Sequence, residues 1–154
     1  MKTTVLAVAL VLPWLSHASM QDEVAQECFD ALPGEIGIAL DTPGRIAISP
    51  IAISKSGARA YIATEYVGSP NLQASIYLIK RNKYCLAGDL GPAVDFRASP
   101  KNTRQGVFGV IVESKSGSDR FFRTFIYARG RFELSNCKVS LSTGQTRDCT
   151  LNER

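Results

Sequence analysis

Histidine is almost missing from this chain. Its 154 residues include one, His17, and that one falls in a stretch that reads as a removable leader. Without it there is no Ser-His-Asp or Cys-His arrangement, no histidine general base and no histidine metal ligand. Cys-x-x-Cys is missing too, and with no histidine in reach this excludes the common zinc sets. No glycine-rich loop leads into a helix, so no phosphate cradle of that kind is expected. There is no Asn-x-Ser/Thr sequon. Beyond the first residues no apolar run approaches the length needed to span a bilayer as a helix. These absences predict no cofactor, no metal, no integral membrane segment and no enzymatic activity.

The chain opens on a segment with the secretory pattern. Lys2 supplies a positive start, Val5 to Leu15 is apolar, and Ser16-His17-Ala18 supplies the small residues a signal peptidase reads. Cleavage after Ala18 is expected, giving a periplasmic or secreted protein. What remains is one domain's length, enough for a real core.

Charge is distributed unevenly. From Ser19 to Gly44 there are six acids (Asp22, Glu23, Glu27, Asp30, Glu35, Asp41) and no base, whereas from Arg45 onward there are 17 bases and 8 acids. The body is therefore cationic and suited to anionic partners.

The four cysteines are Cys28, Cys85, Cys137 and Cys149. An even number in an exported chain points to disulfides, with three pairings open. Cys28–Cys85 and Cys137–Cys149 is the preferred pairing. It staples the N-terminal segment to the body and closes a short polar C-terminal loop.

The fold class expected is mainly β, in antiparallel meanders, with one short N-terminal helix. Met20 to Leu32 predicts that helix, since Val24, Cys28, Ala31 and Leu32 share a face and Pro33-Gly34 ends it. An acidic linker then runs to residue 44, and residues 45–154 form the β domain. Ile46, Ile48, Ile51 and Ile53 flank Pro50, which suggests an edge strand or a break. Ala58 to Val67 alternates. Ala74 to Lys80 and Lys83 to Leu86 form a hairpin around Arg81-Asn82. Gly88 to Gln105, with Gly91, Pro92 and Pro100, reads as a long loop. Gly106 to Glu113 is a strand, and Arg120 to Ala128 is another, with Phe121, Arg123, Phe125 and Tyr127 on one face. Arg129-Gly130 is a tight turn into Arg131 to Val139.

One tetrapeptide occurs twice. Ser54-Lys55-Ser56-Gly57 returns as Ser114-Lys115-Ser116-Gly117. Each copy precedes a hydrophobic strand, an Ile-Tyr pair, a basic turn and a further strand. The pattern predicts two related three-stranded units whose matched turns project from one end of the sheet. Turn chemistry alone also favours Ser, Lys and Gly at such places.

For chemistry, carboxylates are what remains. Asp89, Asp95, Glu113, Asp119 and Glu133 are available, but no motif marks out a catalytic pair. The interleaved Arg120-Phe121-Phe122-Arg123-Thr124-Phe125 has the residue types of a stacking surface. Strand alternation splits it between two faces, so no nucleic-acid partner is expected. Recognition by loops is left. The candidate partner-binding residues are Lys55, Ser56, Arg59 and Tyr61 around the first turn. Around the second they are Lys115, Ser116, Ser118, Asp119 and Arg120.

Ser56-Gly57-Ala58-Arg59-Ala60-Tyr61 resembles the Ser-Gly-x-x-Tyr signature of bacterial periplasmic lysozyme inhibitors, with one more residue before the tyrosine. The resemblance implies a small exported β protein whose loop, here Ser56 and Tyr61, plugs an enzyme cleft. In the second copy Phe121 stands where the tyrosine would. Lysozymes are usually cationic, as is this body, so electrostatic steering opposes that particular target. In class the chain is also similar to immunity proteins that act against secreted cell-wall toxins. The expectation is a non-enzymatic inhibitor or immunity-type protein with an enzyme or toxin as its protein partner. The alternative is an envelope module that binds an anionic glycan or lipid head group.

Overall fold

The computed structural model describes residues 26–36, 45–67 and 69–150. The expected leader, residues 20–25 of the expected helix and the turn at 41–44 lie outside the described residues. Among the described residues eleven strands follow one another: β1 (Cys28–Phe29), β2 (Glu35–Ile36), β3 (Ile46–Ala52), β4 (Arg59–Glu65), β5 (Leu72–Lys80), β6 (Lys83–Ala93), β7 (Asp95–Arg104), β8 (Val107–Ser116), β9 (Asp119–Ala128), β10 (Arg131–Ser140) and β11 (Thr146–Asp148). They form a six-stranded sheet in the order β1-β6-β5-β4-β3-β2 and a five-stranded sheet in the order β11-β10-β9-β8-β7. All pairings are antiparallel except β2 with β3.

Each sheet is thus built on a four-stranded meander, β3 to β6 and β7 to β10, in place of the three-stranded units expected. The difference lies in residues 88–105. Gly91 and Pro92 belong to β6, and Pro100 belongs to β7. Gly91 takes φ +67°, a conformation that costs glycine little. Pro100 is tolerated because β7 is an edge strand and its missing N–H leaves no ladder bond open. The chain changes sheet at Val94 alone, whose N–H donates to Glu113 O at 2.7 Å.

Alternation places one side of each meander inside. Ile62, Ile76 and Leu90 from the first sheet meet Val110 and Val112 from the second, all fully buried. Phe125 and Phe132 complete this shared core. Each such aliphatic side chain contributes about 1.5–3 kcal/mol on burial. Gly88 lets the sheets approach: a Cβ there would lie 3.0 Å from Phe132 O.

The N-terminal segment corrects the helix expectation. Among its described residues, Cys28 and Phe29 are a strand paired to Cys85 and Tyr84 of β6. The Cys28–Cys85 disulfide fixes that register, and long-range pairing overrides the local helical periodicity. From β1 the chain crosses the outer face of the first sheet as a strap, residues 30–34, and reaches β2 at the opposite edge. Leu32 packs there against the cluster around Ile48, Ala63 and Tyr77. The second disulfide is Cys137–Cys149, so the preferred pairing is the one present and no described cysteine is free. Among the described residues no helix is long and apolar enough to cross a membrane.

Candidate functional site

In a meander, successive turns alternate between the two ends of the sheet. The β3–β4 and β5–β6 turns therefore share an end of the first sheet, as the β7–β8 and β9–β10 turns share an end of the second. One bond joins these ends: Phe108 N–H donates to Ile53 O at 2.7 Å. The other ends are joined by Asn71 and Lys115. Asn71 Nδ2 donates to Lys115 O at 2.7 Å, and Lys115 N–H donates to Asn71 Oδ1 at 2.8 Å.

The two Ser-Lys-Ser-Gly segments consequently lie at opposite ends, not at one. They also differ in local structure. Ser54 to Gly57 is a loop, with Ser54 Oγ accepting from Ala58 N–H at 3.0 Å and lying 2.9 Å from Ser56 Oγ. Ser114 to Ser116 is the end of β8, and Gly117-Ser118 alone make the turn. The echo is out of phase with the meanders and does not mark their repeat.

The first-turn residues Lys55, Ser56 and Arg59 are exposed. Tyr61 is on the outer face of the first sheet, its ring edge-on to Tyr84 with centroids 5.7 Å apart. It does not belong to the turn. At the opposite end Lys115, Ser116 and Ser118 are exposed. Asp119 and Arg120 are engaged internally there. Asp119 Oδ1 accepts from Ser142 N–H at 2.9 Å, and Arg120 pairs with Glu113 at 3.1 Å.

The end carrying Lys55 and Arg59 gathers far more charge than those two residues. Lys80, Arg81 and Lys83 flank the β5–β6 turn, Lys101 and Arg104 lead into the β7–β8 turn, and Arg129 and Arg131 flank the β9–β10 turn. All are exposed except Lys80, which is half-buried. Two of these cations are paired at the surface, Lys83 with Asp30 and Arg129 with Glu133, each at 3.2 Å. Among the described residues Lys55, Arg59, Arg81, Lys101, Arg104 and Arg131 have no ion-pair partner. Arg81, Asn82, Gln105 and Arg129 all take positive φ, between 49° and 62°. Tight two-residue turns of this kind hold their flanking side chains close to the strand ends. The arrangement concentrates positive potential on one end of the molecule.

Sequence reasoning missed Arg81, Lys83, Lys101, Arg104, Arg129 and Arg131 as members of one site. The signal was present: two or more bases flank or lead into every second turn.

Arg123 stands apart. It is buried on the inner face of β9, Nη2 donates to Pro92 O, and Nε has no partner. Burial lowers its pKa, and the nearby Asp89 carboxylate acts the other way. It holds the Gly91-Pro92 corner to β9. Among the described residues no cluster of acids, histidines or cysteines could hold a metal ion.

The described residues form, at the level their geometry defines, a mainly β scaffold of two sheets with two disulfides and a basic end. No family model, curated protein or solved structure matches the chain.

Proposed function

We propose that the protein is a non-enzymatic binding module for an anionic envelope component, a glycan or a lipid head group, and that the basic end engages it. The observation carrying this reading is the convergence of four basic turns, six of whose cations lack an ion-pair partner among the described residues. Separation of the two Ser-Lys-Ser-Gly segments removes the geometric basis for a two-loop plug and favours this reading.

The test is retention on beads carrying a polyanionic glycan and on vesicles rich in anionic lipid. Retention should fall steeply as salt rises from 0.05 M, because exposed charges are screened over about 8–10 Å near physiological ionic strength. The triple variant R81Q/R104Q/R131Q should lose it. Salt-insensitive retention, or full retention by the variant, would overturn the assignment. Which matrix binds tells glycan from lipid.

A second reading is inhibition of an envelope enzyme or toxin by the β8–β9 hairpin. It is supported by the clamps on that hairpin, Asn71 on Lys115 and Asp119 on the Ser142 amide. They hold Ser116 and Ser118 at an exposed, pre-ordered tip, which lowers the cost of docking. Affinity capture of one stoichiometric enzyme that loses activity, with capture abolished by S116A/S118A, would establish it in place of the first reading.

A further inference from the structure

The outer face of the second sheet carries a cleft of about 380 Å³. Its floor is Ile111, Phe122 and Thr124, in the middle of the sheet. Arg97 and Asn102 of β7 form one wall, and Ser135, Asn136 and Lys138 of β10 form the other. Register explains the grouping. Arg97, Ile111, Thr124 and Asn136 form one cross-strand row, and Phe122 faces Lys138 in the next.

Irregularities in both outer strands build the walls. The β7 ladder is interrupted between Ser99 and Arg104, and Asn102 folds over Gly109, where a Cβ would lie 2.9 Å from the Asn102 Cβ. Asn102 Nδ2 donates to Ser99 Oγ at 2.7 Å and is held there. On the other side β10 bulges between Leu134 and Asn136, which brings Ser135 and Asn136 to the rim. Bulges next to a concave surface re-aim side chains in this way.

We infer that this cleft binds a carboxylated sugar unit of an acidic glycan. The lining contains two cations and no carboxylate. Among the described residues neither Arg97 nor Lys138 has an ion-pair partner. Acids on the same face lie outside the lining: Asp95, Glu113 and Asp148 extend the Phe122–Lys138 row, and Glu133 stands opposite Ile126 in the row beyond Thr124. Glu113 is occupied by Arg120.

The other lining groups select among anions. Two amides, Asn102 and Asn136, and two hydroxyls, Thr124 and Ser135, can each donate and accept. They suit the hydroxyls of a sugar. The half-exposed Phe122 ring and Ile111 offer an apolar floor to the C–H face of a pyranose, which a bare inorganic ion has no use for. The walls stand three strand spacings apart, about 14 Å at the usual separation. A ligand touching both is extended, as a chain of sugars is. The floor is closed by the sheet, and its two apolar residues leave no channel for an acyl chain. One aromatic ring is too few for a stacking platform for single-stranded nucleic acid. The cleft shares no residue with the basic end, although Asn102 of its wall lies between Lys101 and Arg104 on β7.

The test titrates the disulfide-bonded protein with a tetramer of galacturonic acid, with a neutral hexose tetramer and with inorganic phosphate. Calorimetry and amide chemical shifts are the readouts. The uronic tetramer should move the amides of Ile111, Thr124 and Asn136. Arg97→Gln and Lys138→Gln should each weaken it about tenfold, the loss of one charge-assisted contact. Phe122→Ala should weaken it as well. Glu65→Gln, on β4 of the first sheet and outside both the cleft and the basic end, should bind as the parent does. Equal binding of the neutral tetramer, equal competition by phosphate, shifts confined to residues 81–82 and 105–106, or no binding, would each overturn the inference. So would a preference for anionic vesicles. Arg97 and Lys138 are exposed, so the glutamine variants keep the fold and a negative result counts.

Discussion

Asn71 and Lys115 hold each other by two hydrogen bonds, one through each polar atom of the asparagine amide, across 44 residues of sequence. This side chain pairs with a strand end as another backbone would, and it ties the β4–β5 loop to the β8–β9 hairpin. Asn71→Ala should lower stability by about 1–2 kcal/mol, two ordinary hydrogen bonds at a partly exposed site. Asn71→Asp keeps one acceptor and loses the donor, and should fall between. Urea denaturation of the three proteins checks the order. Hydrogen exchange at the Lys115 amide should rise in Asn71→Ala, which removes its acceptor, and stay slow in Asn71→Asp, which keeps it.

Gly91 and Arg123 form a second dependent pair. A Cβ at position 91 would lie 2.6 Å from Arg123 Nη1, and φ there is +67°. Gly91→Ala should therefore cost about 1–3 kcal/mol through backbone strain and overpacking together. A substitution at Gly57, where φ is +83° but nothing lies within 4 Å, carries the strain alone and should cost less. Thermal melts of the two variants check the difference.

The two disulfides should differ in worth. Cys28–Cys85 spans 57 residues and Cys137–Cys149 spans 12. Loop-closure entropy assigns about 4 kcal/mol to the first and about 3 kcal/mol to the second. Replacing each pair by alanine and comparing denaturation midpoints tests the ranking. A larger loss from the C-terminal pair would mean that local packing around Val139 outweighs chain entropy.

Tyr77 gives an alkaline prediction. Burial raises its pKa above the ordinary 10.0, and the Glu27 carboxylate adds to the rise. The folded state thus prefers the neutral phenol more than the unfolded state does. The resulting stability is fully present below the unfolded pKa and is lost as pH rises through the folded one. Stability should decline above about pH 10, and Tyr77→Phe should flatten that decline. Denaturant midpoints at pH 8, 10 and 11 for both proteins test it.

Much of this architecture was legible in the sequence, because strand alternation and turn residues act locally. The Arg81-Asn82 and Arg129-Gly130 turns and the Phe121–Tyr127 face follow from residue type and spacing; spacing leaves three disulfide pairings open, and the preferred one is the one present. The strand at Cys28 did not, since its neighbours have helical spacing and only a partner 57 residues away decides otherwise. Gly91, Pro92 and Pro100 read as loop because these residues usually break strands; here a corner and an edge strand accommodate them. The site was legible only in fragments. Each basic turn could be seen, but which turns share an end depends on the number of strands between them. Five strands, β4 to β8, separate the two Ser-Lys-Ser-Gly segments. An odd number puts them at opposite ends, and no property of the tetrapeptide itself reports that.

The strap and its two flanking strands bear on the order in which the molecule can be assembled. β1 lies first in sequence among the described strands, yet its neighbour in the sheet is β6. During synthesis Cys28 waits through the emergence of β3, β4 and β5 before its partner exists. The meander can zip from each hairpin to the next without the beginning of the chain. Fastening the strap across the sheet, with the bond to Cys85 as its buckle, requires only that β6 be in place.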